Sequence, residues 1–225
     1  MFMTKATHPT HRSLGLEMKT KVSEKTACGK GIRPPPGQSG FSILEVLIAA
    51  LVFSIGVLGV AALQIKAKQA NYEAVQRTQA STLAYELLEK MRMNSAGATS
   101  PLISYVTASG TRTLDSTTTL TGVTDCGSAS CSPDALALYD VQNFLNGLLG
   151  AGEKKGTSNV GGLADPTACL SGPATGVSGV YTLTIAWRGQ AELTNSNAST
   201  CGQGKYGTND KYRRILVFNT YITHE

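Results

Sequence analysis

At 225 residues the chain exceeds one average domain without requiring two, and 41% apolar residues, few aromatics and 24 glycines describe a modest core carrying long polar loops. The formal charge of +5 has a single location. Of 20 basic and 15 acidic residues, residues 1–40 hold Lys5, Arg12, Lys19, Lys21, Lys25, Lys30 and Arg33 against Glu17 and Glu24, so residues 41–225 balance at 13 of each sign. The basic balance therefore excludes a broad nucleic-acid-binding surface and reads as an orientation signal beside a membrane.

Residues 1–40 form a basic leader ending in Pro34-Pro35-Pro36-Gly37-Gln38-Ser39-Gly40. Proline and glycine keep that stretch extended and accessible to a protease. The run from Phe41 to Leu63 follows at once, 23 residues whose only charge is Glu45. As a helix rising ~1.5 Å per residue it reaches roughly 35 Å, enough to span a hydrocarbon core of about 30 Å. A buried soluble helix is the competing reading, but no second apolar segment of that length exists to surround it. The upstream charges place the N-terminus in the cytoplasm and the remainder outside. An ordinary secretory signal has the opposite order, apolar stretch first and cleavage site after it. A lipoprotein signal likewise needs apolar residues before its cysteine, and Cys28 is preceded by polar and charged ones.

The run Gly40-Phe41-Ser42-Ile43-Leu44-Glu45-Val46-Leu47-Ile48-Ala49-Ala50-Leu51 resembles the class III (prepilin) signal of type IV pilins and type II secretion pseudopilins. The resemblance implies cleavage between Gly40 and Phe41 by an inner-membrane aspartyl prepilin peptidase, with N-methylation of the new amine of Phe41. It also implies an assembly role for Glu45, whose carboxylate would pair with the Phe41 amine of a neighbouring subunit and set axial register. A snorkelling interfacial carboxylate is the bland alternative. The leader is long for such a signal, and Met18, like Met3, is an in-frame alternative start to Met1.

Helical periodicity continues beyond the membrane through residues 64–95. Leu63, Ala67, Ala70, Ala74, Thr78, Ser81, Tyr85, Leu88 and Met91 recur every three or four residues, and that stripe is the expected core face. The sheet is expected to pack most deeply near Tyr85 and Leu88. Lys66, Gln69, Glu73, Gln76, Glu86 and Lys90 occupy the other face, with Leu83 the exception and Glu73–Arg77 and Glu86–Lys90 as i,i+4 pairs. Gly56 and Gly59 are weak points that mark either close subunit packing, local melting or ordinary membrane-helix glycine.

Residues 96–225 form the head. Ala98 to Thr124 reads as a long surface loop with one short strand. In the segment Cys126-Gly-Ser-Ala-Ser-Cys131-Ser132-Pro133, Ser132 suits an N-cap and Pro133 the first helical position. Leu138, Val141, Leu145 and Leu148 then follow at helical spacing up to Gly150. This stretch, with Ala137, Tyr139 and Asp140, resembles the C-x4-C-[ST]-P-x3-A-x-[YF]-D segment of PilV-type minor pilins; Phe144 stands where that group often has Trp. Gly161-Gly162 reads as flexible loop. Strands are predicted at Ala168–Leu170, Val180–Trp187 and Arg214–Ile222. The fold class is α+β: one long N-terminal helix, membrane-spanning in its first half, packed on a small antiparallel meander with an extra short helix, as in the type IV pilin fold.

Four cysteines remain outside the leader, Cys126, Cys131, Cys169 and Cys201, on the side where disulfides persist. Of three possible connectivities, Cys126–Cys131 and Cys169–Cys201 are preferred, with a zinc site as the rival. No catalytic constellation emerges: the histidines are His8, His11 and His224, and no phosphate loop or zinc-protease signature occurs. Asp134 and Asp140 read as capping or surface residues more readily than as a carboxylate pair, and calcium spacing is lacking around Asn195–Asp210. No catalytic residue, metal or cofactor is expected. The resemblance implies a non-enzymatic minor pilin in the inner membrane and then in the filament. Its partners would be prepilin peptidase, the major and other minor pilins, a tip adhesin and the inner-membrane assembly platform. A type II secretion pseudopilin is the first alternative, and a membrane-tethered DNA-uptake or binding protein the second.

Overall fold

The structure is a computed structural model, and it describes residues 40–96, 101–174, 176–194 and 199–224. The leader residues before Gly40, with Cys28, His8 and His11, lie outside the described residues. The chain divides into two units, one reaching to Ala50 and the other beginning at Leu51. Within the first, Gly40 to Ser42 are non-helical and helix α1 (Ile43–Met93) begins.

The second unit holds the rest of α1 and the head. In chain order the head has α2 (Leu102–Val106), β1 (Thr111–Asp115), α3 (Pro133–Leu149), β2 (Lys154–Lys155), β3 (Ser158–Asn159), β4 (Thr167–Ser171), β5 (Gly179–Arg188) and β6 (Arg213–Ile222). A four-stranded antiparallel sheet runs β1-β4-β5-β6, and β2-β3 make a separate hairpin. Register puts Leu183 between Leu170 and Phe218, and Ile185 between Ala168 and Leu216, on the inner face. That face joins Leu87, Leu88 and Met91 of α1 and Val141, Phe144, Leu145 and Leu148 of α3 in one hydrophobic cluster. The α+β, type IV pilin-like fold is thus present, and α3 has the expected ends. Ser132 Oγ accepts from Ala135 N–H at 3.3 Å, Pro133 occupies the first turn, and Gly150 closes the helix at φ 64°.

Three expectations are corrected. The buried line on α1 is Gln76, Ala80, Ala84, Leu87, Leu88 and Met91, with Leu83 partly buried against the core. Tyr85 is 59% exposed and meets Phe218 edge-on, 5.0 Å between ring centroids. Among so many Ala, Gln and Thr residues, hydrophobic contrast is too small to fix the phase of the helix. Hydrogen bonds fix it instead. Gln76 Nε2 and Gln79 Nε2 donate to the carbonyls of Gly162 and Gly161 at 3.4 and 2.6 Å, and Gln76 Oε1 accepts from Ala164 N–H at 2.9 Å. Gly161-Gly162 is therefore a tight latch rather than flexible loop: a Cβ on Gly162 would overlap the backbone of Leu149 and Gly150. The stretch after Ala98 also does more than loop over the surface. The α2 turn and β1 bury Leu102, Tyr105, Val106 and Leu114, while Gly97 to Ser100 lie outside the described residues.

The outer face of the sheet is covered at one end. Tyr206 Oη lies within 3.2 Å of Asp165 O, Thr167 Oγ1 and Ala186 O, and Thr184 and Ala186 are buried beneath. Cys169 pairs with Cys201 at a Cα separation of 5.8 Å, fastening this covering segment to β4. Cys126 pairs with Cys131 at 5.6 Å, ahead of α3. The sequence separations are 32 and 5, so chain-entropy arguments give losses of about 4 and about 2 kcal/mol for the two bonds. Replacing Cys169 and Cys201 by Ser should lower thermal stability and protease resistance clearly more than replacing Cys126 and Cys131. Equal, mild effects would contradict that ranking.

Candidate functional site: the start of the assembly helix and a groove on the head

The junction predicted to be cut is open. Gly40 is exposed, Phe41 is 83% exposed, and neither is helical. Among the described residues no atom lies within 4 Å of a Cβ built on Gly40, so they set no steric demand for glycine there. Ser42 starts the helix: its Oγ accepts from Leu44 N–H at 3.3 Å, and its carbonyl accepts from Glu45 N–H at 3.0 Å. Ser42-x-x-Glu45 has the spacing of a capping box, a local signal that reading Glu45 only as a membrane acid missed. Glu45 lies in the first turn, where a negative charge also complements the helix dipole.

From Ile43 the helix is long and apolar enough to cross a membrane, and none of its most apolar stretch is buried within the protein. A core helix would be covered, so this segment needs an apolar environment that the described residues do not supply. Gly56 and Gly59 face open space, with no neighbour within 4 Å of an added Cβ. Nothing among the described residues requires either glycine.

On the head, α1 and the β5-β6 end of the sheet bound a groove of about 540 Å³. Glu73 was expected to pair with Arg77 on the solvent face; instead its carboxylate accepts from Arg214 Nε and Nη2 at 3.1 and 3.0 Å and from Gln190 N–H at 2.6 Å. Glu86 and Lys90 pair as expected, at 2.7 Å. Arg214 stands directly across from Trp187 in the β5-β6 register. Trp187 Nε1 and Arg214 Nη1 are both buried without a hydrogen-bond acceptor. Such donors cost about 1–3 kcal/mol each when left unmade, so two side by side call for explanation.

A second buried network lies between α1, α2 and α3. Tyr105 Oη donates to Asp140 Oδ2 at 2.7 Å and accepts from Asn94 Nδ2 at 3.3 Å, with Lys90 Nζ 3.9 Å from Asp140. Asp140 is only 6% exposed, which corrects its surface assignment. Asp134 remains at the surface, accepting from Ser104 Oγ at 2.9 Å, and forms no pair with Asp140. Burial pushes the Asp140 carboxyl above its ordinary range, against the opposing effects of the Tyr105 hydrogen bond and the Lys90 charge. The Tyr105 hydroxyl is pushed up as well, first by burial and then by its bond to Asp140.

Asp210 ends another question. Its carboxylate accepts from Gly204 N–H at 2.8 Å and Tyr206 N–H at 3.2 Å, and the first of these bonds depresses its pKa most. It serves the backbone of its own loop. Among the described residues no group of three or more His, Cys, Asp or Glu side chains is placed to hold a metal; Asn195 to Ala198 lie outside them.

This architecture defines a membrane-anchorable α+β protein whose apolar helix begins at an exposed junction, with a disulfide-bonded head. Comparison with known proteins agrees: a family model for the prokaryotic N-terminal methylation motif matches residues 35–61, and one for type IV pilin Tt1218 matches residues 62–142. Together they support a type IV pilin with a class III signal. The motif implies processing by prepilin peptidase and a pilus-assembly setting, and pilins are structural subunits rather than catalysts. No curated protein and no solved structure gives a match.

The Asp140 network has a pH signature. A carboxyl with a raised folded-state pKa contributes fully below its unfolded value of about 4, and that contribution is lost as pH rises through the folded value. Asp140→Asn keeps an acceptor for Tyr105, so it should flatten the decline in melting temperature above pH about 4 without destabilising at pH 7. Asp140→Ala strands the Tyr105 hydroxyl and should cost about 1–3 kcal/mol at pH 7. Unfolding of the full chain in detergent micelles, followed from pH 4 to 8, measures both; an unchanged pH profile in Asp140→Asn would contradict the assignment.

Proposed function

We propose that the protein is a minor pilin of the PilV type, a non-enzymatic subunit that helps initiate or tip a type IV pilus. The observation that carries this reading is the exposed Gly40–Phe41 junction leading directly into an apolar helix with one charge, within residues that match the N-terminal methylation motif. The leader, residues 1–40, orients the precursor in the inner membrane with its head in the periplasm. Prepilin peptidase cuts after Gly40 and methylates Phe41. Residues 41–63 then pass from lipid into the filament, residues 64–95 carry the helix into the head, and residues 96–225 present the disulfide-bonded surface. The PilV assignment rests on the Cys126-x4-Cys131-Ser132-Pro133 segment ahead of α3 and its local disulfide. Its partners on this reading are the major pilin, other minor pilins, a tip adhesin and the assembly platform.

Glu45 is assigned to assembly. Lipid tails offer an apolar segment as good a solvent as another helix does, so transfer into a bundle needs packing or polar attraction. Pairing of Glu45 with the Phe41 amine of a neighbour supplies the attraction and sets axial register. Glu45→Val should leave a cleaved, membrane-resident protein whose recovery in sheared filaments falls several-fold. Normal recovery would make Glu45 a capping and interfacial residue only. Deletion of the gene should abolish or sharply reduce surface pili and twitching while sparing protein secretion; the reverse pattern would identify a type II pseudopilin.

A further inference from the structure

We infer that the groove between α1 and the β5-β6 end of the sheet is a docking site for an acidic, partly apolar peptide segment of another protein chain. Lys66, Glu73 and Arg77 of α1 form one wall, and Trp187, Leu193 and Arg214 line the other. Its volume, about 540 Å³, lies within the ~300–1,000 Å³ of ordinary ligand sites.

Three features specify the occupant. The first is the pair of unused donors. Of the Arg214 guanidinium, Nε and Nη2 are committed to Glu73 and the Ala191 carbonyl, while Nη1 has no acceptor. The indole Nε1 of Trp187, 3% exposed overall, has none either, and the two residues face each other across adjacent strands. One carboxylate has two oxygens, and its ionised form suits donors of this kind. The second is charge. Arg77, Lys66 and Arg214 outnumber Glu73 here, although residues 41–225 are neutral as a whole. The third is the apolar remainder: Leu193 is 54% exposed at the rim and Trp187 forms the floor, so the occupant carries hydrocarbon beside its acid. The Glu73–Arg214 bridge orients the guanidinium while leaving the buried Nη1 without an acceptor. Gly189 makes room for the paired edge of the guanidinium, because a Cβ there would overlap Cζ, Nη2 and Nε.

This inference does not depend on the pilin reading. Trp187 is the only tryptophan, so its fluorescence reports on the site directly. The full-length protein in neutral detergent micelles is titrated with an acetylated, amidated pentapeptide, Gly-Leu-Glu-Leu-Gly, and with its Gln counterpart. A saturable change in Trp187 emission is expected with the Glu peptide, at least tenfold weaker with the Gln peptide, and weakened by added salt. The double variant Lys66→Glu, Arg77→Glu changes two exposed rim residues and leaves the core intact, and should weaken binding at least fivefold with unchanged circular dichroism. Leu193→Asp should weaken it as well. No saturable change, equal affinity for both peptides, or undiminished binding by the rim variant would overturn the proposal. Saturation by acetate at the same concentration would also overturn it, and so would tighter binding of a thymidine oligonucleotide, which would make this a nucleic-acid groove.

Discussion

An apolar helix that the described residues of its own protein leave uncovered is the constraint on which everything else in this molecule depends. Residues 41–63 carry one charge, and the most apolar stretch of α1 has no buried residue. Water is an unfavourable solvent for such a surface, at roughly 25 cal/mol per Å² of apolar area. The segment must therefore exchange one apolar environment for another throughout its existence, first lipid and then neighbouring helices on the reading proposed above. Because those environments are nearly equal in hydrophobic free energy, small directional terms decide between them. On the reading proposed above, Glu45, the only charged side chain in the stretch, supplies one by pairing with the Phe41 amine of a neighbour.

The same helix must also end in a water-soluble head, and the means of attachment changes along α1. Where the face is poor in bulky residues, attachment is polar: Gln76 and Gln79 hold the backbone at Gly161 to Ala164, and Glu73 holds Arg214. Farther along, from Ala80 to Met91, attachment is by packing against β5 and α3. The latch works only because Gly150, at φ 64°, and Gly162 let two backbones meet closely. Side-chain amides satisfied by backbone carbonyls and an N–H thus locate the helix where hydrophobic contrast is too slight to do so.

What the sequence made legible divides along the same line. The apolar run, the α3 caps at Ser132, Pro133 and Gly150, and strands β5 and β6 were readable because each rests on local chemistry: periodicity, a capping hydroxyl, a proline, a left-handed glycine. The phase of α1 was not, since Tyr85 and Gln76 exchanged the faces that polarity alone assigns them. Gln76 is buried by partners more than eighty residues away, and no local pattern announces them. Helix α2 is five residues long, too short for a periodic signal. Asp140 looked like a surface residue because its partner Tyr105 lies 35 positions earlier, in a stretch that reads as loop. In the site itself, Gly40, Phe41 and Glu45 form a contiguous motif, whereas the groove around Trp187 and Arg214 exists only once β5 and β6 pair and α1 is laid beside them.

The most direct test is the N-terminus of the protein recovered from sheared filaments. Mass spectrometry should find a chain beginning at Phe41 with a methylated amine, and Gly40→Val should leave the precursor intact, although the fold offers no steric objection to valine there. A filament-associated chain that keeps its basic leader would contradict the account at its foundation.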